Sequence, residues 1–496
     1  MFSKKINIIH FLFIFLVLLI PFLEFITFNL NIINERTDFK INSLTLKRLI
    51  PLYIIFSILF FMFFLLLKKK TKLTSYDATI FLSLLYWIFF KYNDFKKIFN
   101  FQPLNQYDGL LALAVSVIII LIFTYFFFKK KTNFINTLIT IFLTTNFLYL
   151  SSQIYLKNNL KIDQNQNIFK YEHIDIQSST RNNIYLFIID AMPPIDIADK
   201  ILNTDSNEFL NNLKSQNFNY IENSKSLYGN TYFTIGSIFN LKPLEQEDPQ
   251  LPIGYENLKY PKLTFPTVLR KNNTSNLEYN LNKLGYDIKW IGSHFSNCYG
   301  YNRSYCIDAI DNTSILINYE NLSFLKKTPI VPILSNIFRL LNIDIEEKII
   351  FKSNNAIRNF NDFITDNGKP KKPTFIFIHH LISHWPYLVD NECNFEKNYG
   401  KLNKTGIKKA FECNKKLIIE LASKIINFDQ DSIVLIQSDH NWELSNHDKK
   451  KYGGRREIFN LIKTNSLCRE YENRAQVNIN AVRLALYCAT NTKPLF

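Results

Sequence analysis

The apolar residues of this chain are not spread evenly along it. They gather into five long runs before residue 155, at roughly 6–28, 49–67, 77–91, 109–128 and 134–151 of 496 residues. A bilayer core takes about 20 mostly apolar residues per helix, with about 17 as the working minimum. The first, second, fourth and fifth runs meet that length; the third, around Ala78–Phe90, is short. Runs this long predict membrane helices rather than core helices of a water-soluble domain, which rarely hold 18 or more apolar residues in succession. The first run is too long, and too lacking in a small-residue cleavage site, to read as a cleaved leader. With 47% hydrophobic residues and only 12 Gly, the chain is neither collagen-like nor disordered throughout.

Charge follows the same division. Residues 1–160 hold 17 Lys/Arg and 6 Asp/Glu, a net +11, and the remainder holds 41 and 36, a net +5. The basic residues flank apolar runs: Lys4 and Lys5 precede the first, Lys68, Lys69, Lys70 and Lys72 follow the second, and Lys129, Lys130 and Lys131 follow the fourth. These are alternate loops, and loops rich in Lys/Arg stay cytoplasmic. Five spans with the N-terminus inside put everything after about residue 152 outside. A basic balance of this kind reads as membrane topology, not as nucleic-acid binding, because the later part of the chain is nearly balanced.

All six cysteines (Cys298, Cys306, Cys393, Cys413, Cys468 and Cys488) lie in that later part. An even number confined there fits an oxidising compartment. Six cysteines allow fifteen pairings, and closeness in sequence favours 298–306, 393–413 and 468–488. No Cys-x-x-Cys is present, so a zinc knuckle is not indicated.

The expected organisation is therefore a transmembrane domain over 1–152, a polar linker over 153–180 and an outer domain over 181–496. The outer domain opens on Asn183-Ile-Tyr-Leu-Phe-Ile-Ile-Asp190, a short apolar run ending in a carboxylate. Similar runs recur at Tyr286–Gly292, Thr374–His379 and Ser432–Asp439, separated by helical patterns such as Glu208–Lys214, Ala356–Phe363 and Lys408–Asn427. Apolar strands alternating with helices predict an α/β domain with a mostly parallel central sheet, whose chemistry belongs at the carboxyl ends of the strands. Three of those ends carry Asp190, His379 and Asp439-His440. These are residue types that ligate divalent metals through mixed oxygen and nitrogen donors.

Each has a structural alternative. Asp190 before Pro193-Pro194 reads equally as a helix cap. His379, His380 and His384 fall within six residues of a chain that has eight histidines, and such a cluster is harder to assign to packing. The run Gly229-Asn-Thr231-Tyr-Phe-Thr234-Ile-Gly-Ser237 predicts a helix beginning near Thr231. A hydroxyl there faces free backbone N–H groups and the positive end of the dipole, where phosphate binds, or else Thr231 is merely the N-cap.

The ordered set Asp190, Thr231-x-x-Thr234-x-x-Ser237, His379-x4-His384-x-Pro386 and Asp439-His440 resembles the sulfatase-like branch of the alkaline phosphatase superfamily. Its membrane members include lipid A phosphoethanolamine transferases and lipoteichoic acid synthases. The ending Val477-Asn478…Arg483 is similar to an element of related membrane proteins. The resemblance implies five spans followed by a sulfatase-like catalytic domain, in the bacterial inner membrane with that domain periplasmic or extracytoplasmic. It implies a divalent metal, zinc or manganese, held by Asp190, Thr231, Asp439 and His440. Thr231 would be the nucleophile, and His379 and His384 would contact the substrate. Asn441 and Trp442 depart from the family pattern, which has Gly after Asp-His. No cysteine stands in the context that true sulfatases convert to formylglycine, and Thr cannot form that aldehyde.

The expected activity is transfer of a phospholipid headgroup, phosphoethanolamine or phosphoglycerol, to an envelope glycan or lipid acceptor through a phospho-Thr intermediate. A membrane-anchored phosphoric or sulfuric ester hydrolase and an inactive envelope-binding protein are the alternatives. His294, His447, Arg455 and Arg456 are further residues that could line the site.

Overall fold

The computed structural model describes residues 17–24, 43–70, 74–91, 132–159, 181–243, 275–292, 305–308, 325, 328, 351, 355–399, 403–442 and 454–494. The chain divides into two compact units. The first contains three described helices whose bounds are complete: α1 (Ser43–Lys70), α2 (Ser75–Phe90) and α3 (Thr132–Asn159). They share an apolar core in which Phe56, Phe60, Phe64, Ile80, Phe81, Tyr86 and Leu143 are buried. Leu325, placed by the sequence in the outer domain, packs against this core. By length and apolarity taken together, no helix among the described residues is long and apolar enough to cross a membrane. The expected fourth span and most of the first lie outside the described residues.

The second unit is built on a seven-stranded sheet. In chain order its strands are β1 (Ile184–Ile189), β2 (Asn219–Tyr220), β3 (Asp287–Gly292), β4 (Tyr305–Asp308), β5 (Thr374–His380), β8 (Ile433–Gln437) and β9 (Asn460–Lys463). Strands β6 (Tyr387–Val389) and β7 (Phe395–Tyr399) form a separate hairpin. The sheet order is β2-β9-β8-β1-β5-β3-β4. The run β8-β1-β5-β3-β4 is parallel throughout, and β9 and β2 add an antiparallel edge. A mostly parallel sheet needs both faces covered, and two apolar clusters cover them.

Side chains alternate across a strand, which sorts the clusters. Tyr185, Phe187 and Ile189 enter one with Ile376, Ile378, Val434 and Ile436, under α8 (Ala356–Asn367) and α9 (Lys404–Phe428). Ile184, Leu186 and Ile188 enter the other with Phe375, Phe377, Ile433 and Leu435, under α6 (Thr231–Asn240) and α10 (Asn478–Ala489). The three central strands, β1, β5 and β8, are buried along their whole length.

Register then decides where the polar residues emerge. Ile188 is level with His379 on one side and Gln437 on the other. Asp190, His379 and Ser438-Asp439-His440 therefore leave the same sheet edge together. At the opposite edge the buried Asp429 accepts hydrogen bonds from Asn183 (2.6 Å) and the Tyr185 hydroxyl (3.2 Å), and Lys369 lies 2.9 Å away. That pins the starts of β1 and β8.

Among the described residues two disulfides are present, Cys393–Cys413 and Cys468–Cys488. The first ties the β6–β7 hairpin to α9, and the second ties the segment before the 3₁₀ helix Arg469–Arg474 to α10. Cys298 lies outside the described residues.

Candidate metal and phosphoryl site

Asp190 follows β1 directly, and the backbone turns sharply there: Ala191 has φ 59°. The Ala191 N–H donates to Asp439 Oδ1 at 3.0 Å, and the His440 N–H donates to the same oxygen at 2.8 Å. Asp190 does not cap the next helix. That helix, α4 (Ile195–Leu202), begins after Pro194 and has no side-chain cap.

Thr231 is the first residue of α6, not its cap. The cap is Asn230, whose side chain accepts the Phe233 N–H at 3.1 Å. The start of α6 is further held from behind. Thr234 shares a 2.8 Å hydrogen bond with Ser226, which accepts from Asn478 at 3.4 Å, and Ser237 bonds back to the Thr234 carbonyl. The second and third hydroxyls of the Thr-x-x-Thr-x-x-Ser pattern are thus buried supports, and only the first faces the sheet edge.

The Thr231 hydroxyl donates to Asp190 Oδ2 at 3.2 Å and lies 3.3 Å from His440 Nε2. His379 Nε2 is 3.3 Å from the same Asp190 oxygen. Asp190, Asp439 and His440, all buried, each offer one ligand atom within 4.8 Å of the others. His440 Nδ1 is 2.7 Å from the Asn441 carbonyl. A carbonyl only accepts, so Nδ1 carries the proton and Nε2 presents its lone pair to Asp190 and Asp439, 3.8 and 3.5 Å away. Asn441 therefore orients His440 through its backbone.

Two observations fit a divalent metal. Asp190 Oδ1 and Asp439 Oδ2 are buried and have no hydrogen-bond partner, although a buried carboxylate oxygen left unpaired is costly. The carboxylates and the imidazole form a mixed O/N donor set of the kind zinc and manganese accept. Burial alone would raise the Asp190 pKa. His384, His379 and His440 outweigh it and hold the carboxyl well below the usual carboxylate range, so Asp190 is an anion at neutral pH.

His379 and His380 are adjacent in sequence but face opposite sides of the sheet. His379 faces Asp190. His380 is sealed beneath α8, where its Nδ1 accepts the Ile357 N–H at 3.3 Å. Burial, and next to it the charge of His379, pushes its pKa down to about 3. His380 is thus a neutral helix-end acceptor. His384 follows at the rim, half-buried, and its loop is held by the Ser383 hydroxyl on the Asp190 carbonyl at 2.6 Å. Trp385-Pro386 is a cis peptide.

Of the four further residues named from the sequence, His294 and His447 lie outside the described residues, Arg456 is exposed, and Arg455 reaches His440. Sequence reasoning gave no role to Asn230, Ser226 or Ser383, which hold the site from behind.

No family model matches the sequence, and no curated protein matches it. Solved structures do resemble it. One is the integral membrane lipooligosaccharide phosphoethanolamine transferase A of Neisseria meningitidis (12% identity, 77% of this chain and 69% of that one, TM-score 0.39). Another is the periplasmic domain of EptC from Escherichia coli in complex with Zn (11% identity, 64% and 87%, TM-score 0.39). A third is an alkaline phosphatase superfamily protein of Vibrio parahaemolyticus (12% identity, 61% and 65%, TM-score 0.34).

Proposed function

We propose that the chain is a membrane-held, metal-dependent phosphotransferase that moves a phospholipid headgroup onto an envelope glycan or lipid through Thr231. One observation carries this reading: a hydroxyl at a helix N-terminus within 3.3 Å of both a buried carboxylate and an imidazole. That is the arrangement of an activated nucleophile, placed where a phosphoryl group is welcomed by free N–H groups.

Asp190, Thr231, Asp439 and His440 would hold a zinc or manganese ion, which when bound supplies Lewis-acid charge beside the hydroxyl. Thr231 Oγ attacks phosphorus, forming the Oγ–P bond while the bond from phosphorus to the diacylglycerol oxygen breaks. The hydroxyl proton leaves toward Asp190 Oδ2, its acceptor at 3.2 Å, and passes on to solvent, while His379, 3.3 Å from the same oxygen, holds that carboxylate in place. His384, at the rim, protonates the departing diacylglycerol. An acceptor hydroxyl then displaces the headgroup from Thr231 by the same path in reverse.

The membrane half of the proposal rests on α1. Residues 50–67 of that helix carry no charged side chain, and Ile58, Met62 and Phe63 are 54–60% exposed. A long apolar face of this kind is unfavourable in water and suits lipid. Anchorage would confine the site to the surface that holds the donor, raising its effective concentration. The paired cysteines support an outer, oxidising location.

The test is mass spectrometry of the Thr231 peptide after the full chain has met mixed phospholipids and a divalent metal, with Thr231→Ala as control. An adduct of phosphoethanolamine or phosphoglycerol mass is expected. Headgroup release without an adduct would move the reading to a hydrolase, and neither adduct nor release would defeat it.

A further inference from the structure

The geometry points to Arg455 as the residue that grips the anionic phosphoryl oxygens beside Thr231. This rests on the phosphoryl-transfer reading and adds a substrate-binding residue to it.

Arg455 Nη2 lies 3.0 Å from His440 Nε2 and 3.2 Å from His440 Nδ1. A nitrogen almost equally far from both ring nitrogens sits over the imidazole face; in the ring plane it would collide with the carbon between them. Arg455 Nη2 therefore lies against the face of His440 and leaves the in-plane lone pair of Nε2 free. The Thr231 hydroxyl is 3.3 Å from that same Nε2. The guanidinium and the nucleophile thus flank one atom, and a phosphoryl group on Thr231 Oγ comes within reach of the guanidinium.

The guanidinium has donors to spare. Its Nε is buried and has no hydrogen-bond partner. Arg carries five donors in a fixed fork and no acceptor, and the face of an imidazole ring satisfies none of them in full. A tetrahedral anion presents the acceptors that the fork lacks.

The backbone holds this residue in place from two sides. The Asn441 N–H donates to the Arg455 carbonyl at 2.9 Å, and the Ser226 N–H donates to the Arg456 carbonyl at 2.7 Å. The backbones of Lys225 and Glu457 pair in an isolated antiparallel β-bridge, and the Ile458 N–H donates to the Ser224 carbonyl at 3.0 Å. The strap bearing Arg455 therefore joins the loop after β8 to the segment leading into α6. Both elements that supply site residues fix its position, which is the support a preorganised binding group requires.

Charge decides what it is for. Asp190 and Asp439 would balance a divalent cation, so a phosphodiester adds one negative charge that the metal and its ligands leave unmet, and the transition state spreads more onto the equatorial oxygens. Arg455 supplies the missing positive charge at the nucleophile.

The experiment uses the full chain with two probes, inorganic phosphate and glycerophosphoethanolamine, each titrated calorimetrically in the presence of zinc. Zinc binding itself is measured separately. Arg455→Met is expected to weaken probe binding about 10- to 100-fold, the loss of a charge-assisted hydrogen-bonded pair. Zinc affinity should stay within about threefold, because the Nε2 lone pair is not held by Arg455. Arg455→Lys, which keeps the charge but not the fork, should fall between. Tighter binding of the diester marks the lipid headgroup as the source, and tighter binding of phosphate marks a free phosphoryl product. Equal probe binding by wild type and Arg455→Met would overturn the assignment and leave the phosphoryl-transfer reading standing. So would loss of zinc affinity with probe binding intact, which would make Arg455 only a support for His440. Failure of the wild type to bind either probe would defeat both.

Discussion

His380 offers a measurable link between acid and stability. Its folded pKa lies at about 3, against about 6.5 for an unperturbed imidazole. Above pH 6.5 both folded and unfolded forms are neutral and the residue contributes no pH dependence. As pH falls from 6.5 toward 3 the unfolded chain takes up a proton that the folded chain refuses, so stability drops with falling pH. At about 1.4 kcal/mol per pH unit across that window, this one residue costs about 2 kcal/mol between pH 7 and 5. His380→Asn keeps an acceptor near the Ile357 N–H and removes the titration. Urea unfolding of the full chain in detergent, followed by tryptophan fluorescence, reads both proteins; Trp290 and Trp442 are buried in the second unit. The variant is expected to be less stable at pH 7, having lost ring volume, but to lose about 2 kcal/mol less than the wild type on going to pH 5. Parallel stability curves for the two proteins would show that His380 is not the sealed, neutral acceptor described.

Four further outcomes are expected. Saturating zinc at about 100 times its dissociation constant should stabilise the wild type by about 2.7 kcal/mol and Asp439→Asn far less, read as a thermal shift. Asn230→Ala should lower stability by about 1 kcal/mol through the lost helix cap, and should lower turnover as well because Thr231 opens that helix; unchanged turnover would argue against Thr231 as nucleophile. Ala191→Val should destabilise by about 2 kcal/mol in urea, since a β-branched residue is strained at positive φ and overfills a buried turn. Cys468→Ser with Cys488→Ser should cost about 3 kcal/mol for a link spanning 20 residues, measured against the wild type under non-reducing conditions.

How far the sequence carries depends on the kind of signal. Asp190, His379 and Asp439-His440 stand at the ends of continuous apolar runs, and in a parallel sheet with aligned registers such ends meet on one edge. The start of α6 was visible from Gly229-Asn230 and the hydroxyl spacing, yet which hydroxyl faced the site was not. That depended on Ser226 and Asn478, remote in sequence and unmarked by pattern. The antiparallel edge was not legible either, because β2 has two residues and β9 four, too few for alternation to register. Adjacent histidines gave no hint that they would part. Only the strand at 374–380 sends His379 to the site and His380 beneath α8. Arg455 could be named only as one of several basic residues, since its position is set by backbone bonds to residues 226 and 441.

The site is assembled from pieces far apart along the chain. Thr231 precedes His440 by 209 residues, and the Ala191–Asp439 hydrogen bond spans 248. At roughly 5–20 residues per second of synthesis, the nucleophile is made about 10 to 40 seconds before its last partner. Until β8 inserts beside β1, Asp190 sits at a sheet edge with no Asp439 or His440 to complete the cage. On the proposed reading a nascent chain is therefore inactive for most of its emergence, and its site is complete only once β8 (Ile433–Gln437) and the Asp439-His440 that follow it have been made.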